Sequence, residues 1–180
     1  MESSGYVKIA DFGLSKILSN DKSQANTFCG TLFYMAPELF LSQSYSRSVD
    51  WWAFGILLFE LLQGLPPFID KDMRKVKQKV LEKRVKFFKP VSEKAQDLIL
   101  KLLEKDPKQR LGSKHGAEEV LSHPFFSEIN MDLLLRMEIE PLYIPNAEKQ
   151  SNSVLEKAVD NYCKEENKIF AAAATVQFRK

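Results

Sequence analysis

The sequence predicts a mainly α-helical fold, and three stretches carry that prediction. Residues 48–62 are apolar on nearly every side, which is typical of a helix inside a protein. Residues 71–83 indicate a helix with many exposed cations, and residues 92–104 have the apolar spacing of an amphipathic helix. We therefore expect residues 48–62 to form a central helix against which other segments pack.

The composition is that of an ordinary globular protein. A chain of 180 residues is enough for one domain or a large part of one. Its net charge of +2 is too small to indicate a nucleic-acid or membrane-surface partner. Two cysteines make neither a metal site nor a disulfide framework, and no signal peptide or membrane-spanning run is evident. These features predict an intracellular, cytoplasmic protein without a membrane span.

Local patterns predict the elements of the first part of the chain. Residues 6–10 alternate weakly and contain β-branched residues, which indicates a short strand. Residues 19–31 are polar, small and aperiodic, which is typical of a loop. Pro37 suits the first turn of a helix, so a short helix should begin at residues 36–38. The central helix should stop at the turn 64–68.

Helices joined by turns are predicted for the rest of the chain. After the helix 71–83, the amphipathic helix 92–104 should end at the Asp-Pro pair 106–107. A last short helix is expected at residues 117–121. From about residue 131 the pattern loosens into a polar segment, which we expect to lie as a tail on a surface.

Two carboxylates interrupt the apolar central stretch. Asp50 and Glu60 would be buried with the rest of that helix. A buried charge is unfavourable unless it is paired or hydrogen-bonded. Both residues are therefore expected to have specific partners.

Six short motifs then occur in a fixed order. They are DFG at 11–13, APE at 36–38, VDWWAFG at 49–55, LPPF at 65–68, DP with RLG at 106–112, and HPFF at 123–126. Together they resemble the C-terminal part of the catalytic domain of a eukaryotic serine/threonine protein kinase. The sequences DFGLSK at 11–16 and TFCGT at 27–31 are similar to the AGC group, which includes the cyclic-AMP-dependent kinase.

The resemblance implies the fold and its divisions. It identifies the fold as the α-rich lower, C-terminal lobe of a protein kinase, incomplete and followed by an irregular tail. Residues 1–126 would be a partial kinase domain that runs from the activation segment to the last lobe helix. Residues 127–180 would be an AGC-type tail, although its terminal aromatic motif is not evident.

The resemblance also implies a function, namely ATP- and Mg²⁺-dependent phosphoryl transfer to serine or threonine of a protein substrate. It implies an upstream activating kinase and a protein substrate, which could be basic, as partners. No nucleic-acid partner and no membrane span are expected. The alternative is a non-catalytic interaction module that binds partners through its activation segment and its basic helix.

Site residues follow from the matched motifs, one residue at a time. Asp11 matches the Mg²⁺ ligand, Thr27 the activation-loop phosphosite, and Lys16 a cation that pairs with that phosphate. The substrate-binding candidates are Thr31, Leu32, Met35 and Glu60. The structural supports are Phe12, Gly13, Glu38, Asp50 and Arg110, with Glu38 and Arg110 forming a buried ion pair and Asp50 accepting hydrogen bonds from the catalytic-loop backbone.

Simpler interpretations remain open for several of these residues. Asp11 would otherwise be a turn aspartate, Thr27 a solvated loop threonine, and Glu60 a partner within its own helix. Leu32 and Phe33 replace the Pro-Glu pair that is common after this threonine in the AGC group, which weakens any transfer of substrate preference.

Two kinase motifs are absent from these residues. No G-x-G-x-x-G and no His-Arg-Asp occurs among the 180 residues, so the glycine-rich loop and the general base of the family have no match. We therefore expect the chain to be a fragment that lacks the ATP-binding lobe and the catalytic loop, and to be inactive alone.

Overall fold

A computed structural model describes residues 4–18, 25 and 30–144 of the chain. The helices in this part are α1 (Pro37–Phe40), α2 (Ser48–Gln63), α3 (Met73–Glu82), α4 (Glu93–Leu102), α5 (Ala117–Leu121) and α6 (Met131–Leu135). Short 3₁₀ helices cover Phe12–Leu14, Leu32–Tyr34 and Pro124–Phe126. Strand pairing within the described residues is limited to an isolated antiparallel bridge between Ala25 and Tyr45. The prediction of a mainly α-helical chain is confirmed.

The chain divides into two compact units. One is Asp11–Leu134, and the other combines Met1–Ala10 with Leu135–Lys180. In the second unit the hydroxyl of Tyr6 donates a hydrogen bond to the carbonyl of Ile139 at 2.6 Å. The strand predicted for residues 6–10 is wrong, because this stretch has no ladder partner within the described residues and is assigned no strand.

Helix α2 is the centre of the larger unit. Trp52, Ile56 and Phe59 on this helix are fully buried. The helix packs against α4 and against the 3₁₀ helix Leu32–Tyr34. At the crossing with α4, a Cβ atom built on Gly55 would lie 2.8 Å from the Cβ of Leu102. Glycine therefore allows the two backbones to approach more closely than alanine would.

One face of α2 is not covered, and the prediction of burial all round is wrong. Leu57, Leu61 and Leu62 are 42%, 72% and 40% exposed. Leu57, Leu61 and Asp50 lie on the side of α2 away from the buried aromatic residues, and Leu62 lies near the end of the helix. The sequence is apolar on this face as well, so periodicity alone could not distinguish the covered face from the open one.

Helix α4 begins at the predicted residue and ends earlier than predicted. The hydroxyl of Ser92 accepts a hydrogen bond from the backbone N–H of Ala95 at 3.3 Å, which caps the helix N-terminus. The helix ends at Leu102, before the Asp-Pro pair. Its buried residues Leu98 and Leu102 form a hydrophobic cluster with Val120 of α5.

Helices α3 and α6 complete the described fold. The carboxylate of Asp72 accepts the N–H of Arg74 at 2.9 Å and starts α3, whose Val76 and Val80 are buried. The short helix α6 was not predicted, because its polar surroundings were interpreted as the start of the tail. The signal was Asn130, whose side chain accepts the N–H of Leu133 at 3.1 Å. No helix in the described part of the chain is long and apolar enough to cross a membrane.

Candidate functional site

A buried ion pair joins α1 to the loop after α4. Arg110 Nη1 lies 2.7 Å from Glu38 Oε1, and Arg110 Nη2 lies 3.0 Å from Glu38 Oε2. The side chains of these residues are 0% and 3% exposed. Arg110 Nη1 also donates to the carbonyl of Ser48 at 2.9 Å, and Nε donates to the carbonyl of Glu104 at 3.0 Å. The guanidinium group therefore ties α1, the start of α2 and the end of α4 together, and the ion pair predicted from the sequence is present.

The local sequence positions both partners of this pair. Pro37 occupies the first turn of α1, so Glu38 lies near the helix N-terminus, where the helix dipole favours a negative charge. Arg110 sits in a turn, with its N–H donating to the carbonyl of Asp106 at 3.1 Å. The turn closes at Gly112, whose φ of +90° and close approach to the Trp51 ring would both strain any other residue.

The segment before α1 is fixed to the far end of α2. The hydroxyl of Tyr34 donates a hydrogen bond to the carboxylate of Glu60. Leu32 and Met35 on the same segment are 7% and 4% exposed, while Thr31 is half-buried. The structure thus connects the predicted substrate residues through Tyr34, which sequence reasoning missed. The side chains of Leu32 and Met35 pack inside this chain.

Asp11 lies at the first residue of the larger unit in a conformation that is unusual for a side-chain-bearing residue. Its φ is 64° and its ψ is 71°, in the left-handed region. One carboxylate oxygen accepts the N–H of Gly13 at 3.4 Å. The neighbouring Phe12 is 67% exposed. No group of three His, Cys, Asp or Glu residues that could hold a metal occurs within residues 4–18, 25 and 30–144.

The predicted phosphosite cannot be placed with the other residues. Thr27 lies outside the described residues, as does most of the predicted loop 19–31. Lys16, the predicted partner of the phosphate, is exposed. The pairing of Lys16 with a phosphate on Thr27 therefore stays a prediction.

Asp50 is exposed, so its predicted burial is wrong for this chain. Its carboxylate has no hydrogen-bond partner in the part of the chain that the structure describes. Protein atoms on one side still desolvate the carboxyl group, and this desolvation raises the pKa of Asp50 above its usual value. Asp50 is consequently a partly desolvated acceptor to which no described residue donates a hydrogen bond.

Lys105 occupies an aromatic cage that sequence reasoning also missed. Its Nζ lies 4.3 Å from the ring centroid of Phe68 and 5.0 Å from that of Trp52. The amine donates a hydrogen bond to the carbonyl of Val80 near the C-terminus of α3. Burial lowers the pKa of Lys105 to about 8, although the ring faces favour the ammonium form. Nothing in the pattern around residue 105 distinguishes it from a surface lysine.

This lowered pKa predicts a stability that rises in mildly alkaline solution. Between a folded-state pKa of about 8 and an ordinary value of 10.5, the unfolded chain binds more protons than the folded chain, so the unfolding free energy increases with pH. We expect a gain of about 1–2 kcal/mol across this window, less than the full shift would give because the side chain is partly solvated. Urea titrations at several pH values measure it.

The matched control for this pH effect is Lys105→Met, which keeps an apolar stem in the cage. The variant should lose the additional rise while keeping the contributions of the other lysines and tyrosines. An identical pH profile for both proteins would contradict the assignment to Lys105.

The helical fold and the buried pair of Glu38 and Arg110 are consistent with the protein class that the sequence motifs predicted. The chain matches the protein kinase domain family over residues 1–126 and belongs to that family. The short motifs at Asp11, Glu38, Asp50 and Arg110 fall inside this range.

Individual relatives are serine/threonine kinases. Serine/threonine-protein kinase gad8 of Schizosaccharomyces pombe is 41% identical over 148 residues, which cover 82% of this chain and 26% of the relative. Serine/threonine-protein kinase YPK1 of Saccharomyces cerevisiae is 43% identical over 141 residues, which cover 78% of this chain and 21% of the relative. Ribosomal protein S6 kinase 2 alpha of Gallus gallus is 41% identical over 146 residues, or 81% of this chain and 15% of the relative.

These relatives confirm the resemblance to serine/threonine kinases of the AGC group. The chain spans only a minor part of the length of the relatives that it matches, at most 26% among these three.

Proposed function

We propose that residues 1–126 contribute the lower lobe and activation segment of a serine/threonine protein kinase, and that residues 127–180 are its C-terminal tail. The observation that carries this proposal is the buried pair of Glu38 and Arg110, which ties the segment after the DFG sequence to the helical core. A phosphoryl-transfer enzyme needs this segment held in place, because positioning is most of its catalysis.

The proposed chemistry assigns Asp11 to magnesium. A carboxylate oxygen is a preferred ligand of Mg²⁺, and an exposed Asp11 that receives a single N–H contact has oxygen lone pairs available. The ion, when bound with ATP, would neutralise charge on the phosphates. Phe12 and Gly13 would support the turn that carries this carboxylate. The remaining ligands would come from the nucleotide or from other parts of a kinase.

Asp50 has a supporting role in this proposal. Its partly desolvated carboxylate has no donor in the described part of the chain, which is the condition expected of an acceptor whose donors lie in a catalytic loop. The proposal also keeps Thr27 as the activating phosphosite, Lys16 as its cationic partner and an upstream kinase as the modifying enzyme. An intracellular, cytoplasmic location accords with two cysteines in 180 residues.

Substrate recognition is assigned to the region of Thr31, Leu32, Met35 and Glu60. The Tyr34 hydroxyl occupies part of the Glu60 carboxylate and fixes its orientation. Such an oriented carboxylate suits a charge-assisted hydrogen bond with an arginine of a protein substrate.

Glu60→Gln should therefore raise the KM for arginine-containing peptides in a kinase that carries this segment. We expect an increase of about tenfold, since the lost charge-assisted bond is worth roughly 1.5 kcal/mol. Peptides without that arginine should keep their KM. Steady-state kinetics on the two peptide sets measure the difference, and equal losses on both sets would favour a purely structural role for Glu60.

A non-catalytic interaction module is the second candidate. It is favoured by the exposed leucine face of α2 and by the absence of a glycine-rich loop and a His-Arg-Asp sequence among these 180 residues. On this proposal the chain binds partners and transfers no phosphate.

A segment exchange distinguishes the two functions. Residues 11–126 would replace the matching segment of the S. cerevisiae kinase YPK1, and transfer of phosphate from ATP to a peptide would be measured. An active exchange protein supports the kinase proposal, whereas a folded but inactive one rejects it in favour of the interaction module. The 180-residue chain, assayed alongside, should be inactive.

A further inference from the structure

A basic, extended segment follows α3 and lies outside every residue assigned to phosphoryl transfer. Residues 83–88 have no helix, turn or bend, and Lys83 has extended backbone angles with φ −87° and ψ 142°. Burial alternates along the segment, with Arg84, Lys86 and Phe88 exposed and Val85 and Phe87 half-buried. Alternation with a period of two is the geometry of a β-strand.

The C-terminal end of the segment is fixed to the core. Gln63 Oε1 accepts the backbone N–H groups of Phe88 and Lys89, both at 2.9 Å, and Gln63 Nε2 donates to the carbonyl of Lys89 at 3.2 Å. Gln63 is 2% exposed, so this clamp is shielded from water. The Phe87 ring packs 5.4 Å from that of Phe59.

The middle of the segment has unused backbone groups. Within the described residues, the N–H and C=O groups of residues 84–87 have no hydrogen-bond partner. An extended segment that is anchored at one end and has unpaired backbone groups is a template for an added strand, because its own ordering costs less when a peptide pairs with it.

The charge around this template is strongly positive. Residues 71–89 contain nine lysines and arginines but only two acidic residues, although the whole chain has a net charge of +2. One of those acids, Asp72, is paired with Arg74 at 3.2 Å. Arg84 and Lys86 are exposed on the same side of the extended segment, and neither has a partner in the described part of the chain.

We propose that residues 83–89 bind an extended acidic segment of a partner protein by strand addition. The partner's backbone pairs with the free groups on one edge of the segment, which belong to alternate residues within 84–87, and its alternate acidic side chains face Arg84 and Lys86. The exposed ring of Phe88, at 61%, provides an apolar contact at the end of the strand. Strand addition supplies affinity, and the alternate charges supply specificity.

The test uses the full 180-residue chain and a fluorescein-labelled peptide with the sequence Thr-Glu-Val-Glu-Val-Glu-Thr. Fluorescence anisotropy should show saturable binding that weakens with added salt. The double variant Arg84→Ser/Lys86→Ser should weaken binding about tenfold. The matched control Lys108→Ser/Lys114→Ser removes two exposed cations elsewhere and should change the affinity less than about twofold. Equal losses in both variants overturn the proposal.

A second measurement tests the backbone pairing on the peptide, and so does not depend on the folding of any variant. Peptides N-methylated either at both valines or at the second and third glutamates present opposite edges of the strand. One of the two should lose at least about tenfold in affinity while the other retains it. Bound peptide should also slow hydrogen exchange of amides within residues 84–87. Equal binding of both peptides, or unchanged exchange, overturns strand addition.

Other anionic partners give different outcomes. Vesicles of phosphatidylcholine with phosphatidylserine and a single-stranded oligonucleotide would be titrated under the same conditions. Tighter binding of either one, without saturable peptide binding, overturns the proposal of a protein partner.

Discussion

Asp11→Ala in the exchange protein should reduce phosphoryl transfer by at least about a hundredfold. Asp11 would hold the Mg²⁺ ion, and an ion that neutralises phosphate charge would be worth several kcal/mol in the transition state, where each 1.36 kcal/mol changes the rate tenfold. Peptide binding should be largely retained, because the change removes no residue assigned to the substrate. Initial rates with saturating ATP and excess Mg²⁺ measure the loss.

The control for this substitution is Glu118→Ala, which removes an exposed carboxylate on α5. The rate of this variant should stay within about twofold of that of the unsubstituted exchange protein, as expected when an exposed acid has no specific role. Undiminished turnover of Asp11→Ala in excess Mg²⁺ would refute the metal assignment while leaving the family unaffected.

Arg110→Met should be the most destabilising single change among the residues described. It leaves the Glu38 carboxylate buried without its cation, and breaking such a pair costs about 3–5 kcal/mol. The variant also loses the hydrogen bonds to the carbonyls of Ser48 and Glu104. A thermal melt of the 180-residue chain should show Tm lowered by about 10 °C or more.

Two further variants distinguish the loss of the Glu38–Arg110 pair from a nonspecific loss of stability. Lys101→Ala breaks an exposed pair with Asp97 at 2.7 Å and should cost about 0.5 kcal/mol or less. The double variant Glu38→Leu/Arg110→Met should lose less stability than the sum of its two single variants, since no charge is left buried alone. A strictly additive double variant would show that the two residues contribute independently.

The sequence predicted the helices well where a local signal marks them. Ser92 identified the start of α4, and the bounds of α5 agree with the predicted residues. The strand predicted at residues 6–10 failed because strand formation depends on a neighbour, which no local pattern supplies. Helix α6 was missed because Asn130 was not weighed as a helix cap.

The sequence predicted the residues of the candidate site only where they belong to a recognisable motif. Glu38 and Arg110 are separated by more than seventy positions, and their pairing was expected from the kinase resemblance rather than from spacing. Tyr34 and Lys105 were missed because their roles depend on contacts across the fold, namely the Glu60 carboxylate and the Trp52 and Phe68 rings. The exposure of Asp50 could not be predicted either, since an apolar helix gives no sign of which face remains open.

The contacts of helix α2 determine how the larger unit unfolds. Helix α4 packs on its middle, the clamp of Gln63 lies at its end, and Ser48 at its start accepts from Arg110. No neighbour can leave without exposing part of this helix to water. Local opening should therefore stop at the periphery, in short elements such as α6, while the amides of Ile56 and Phe59 exchange with solvent only when the whole unit unfolds. The unit should then behave as a single cooperative block, whose slowest-exchanging amides report its global unfolding free energy.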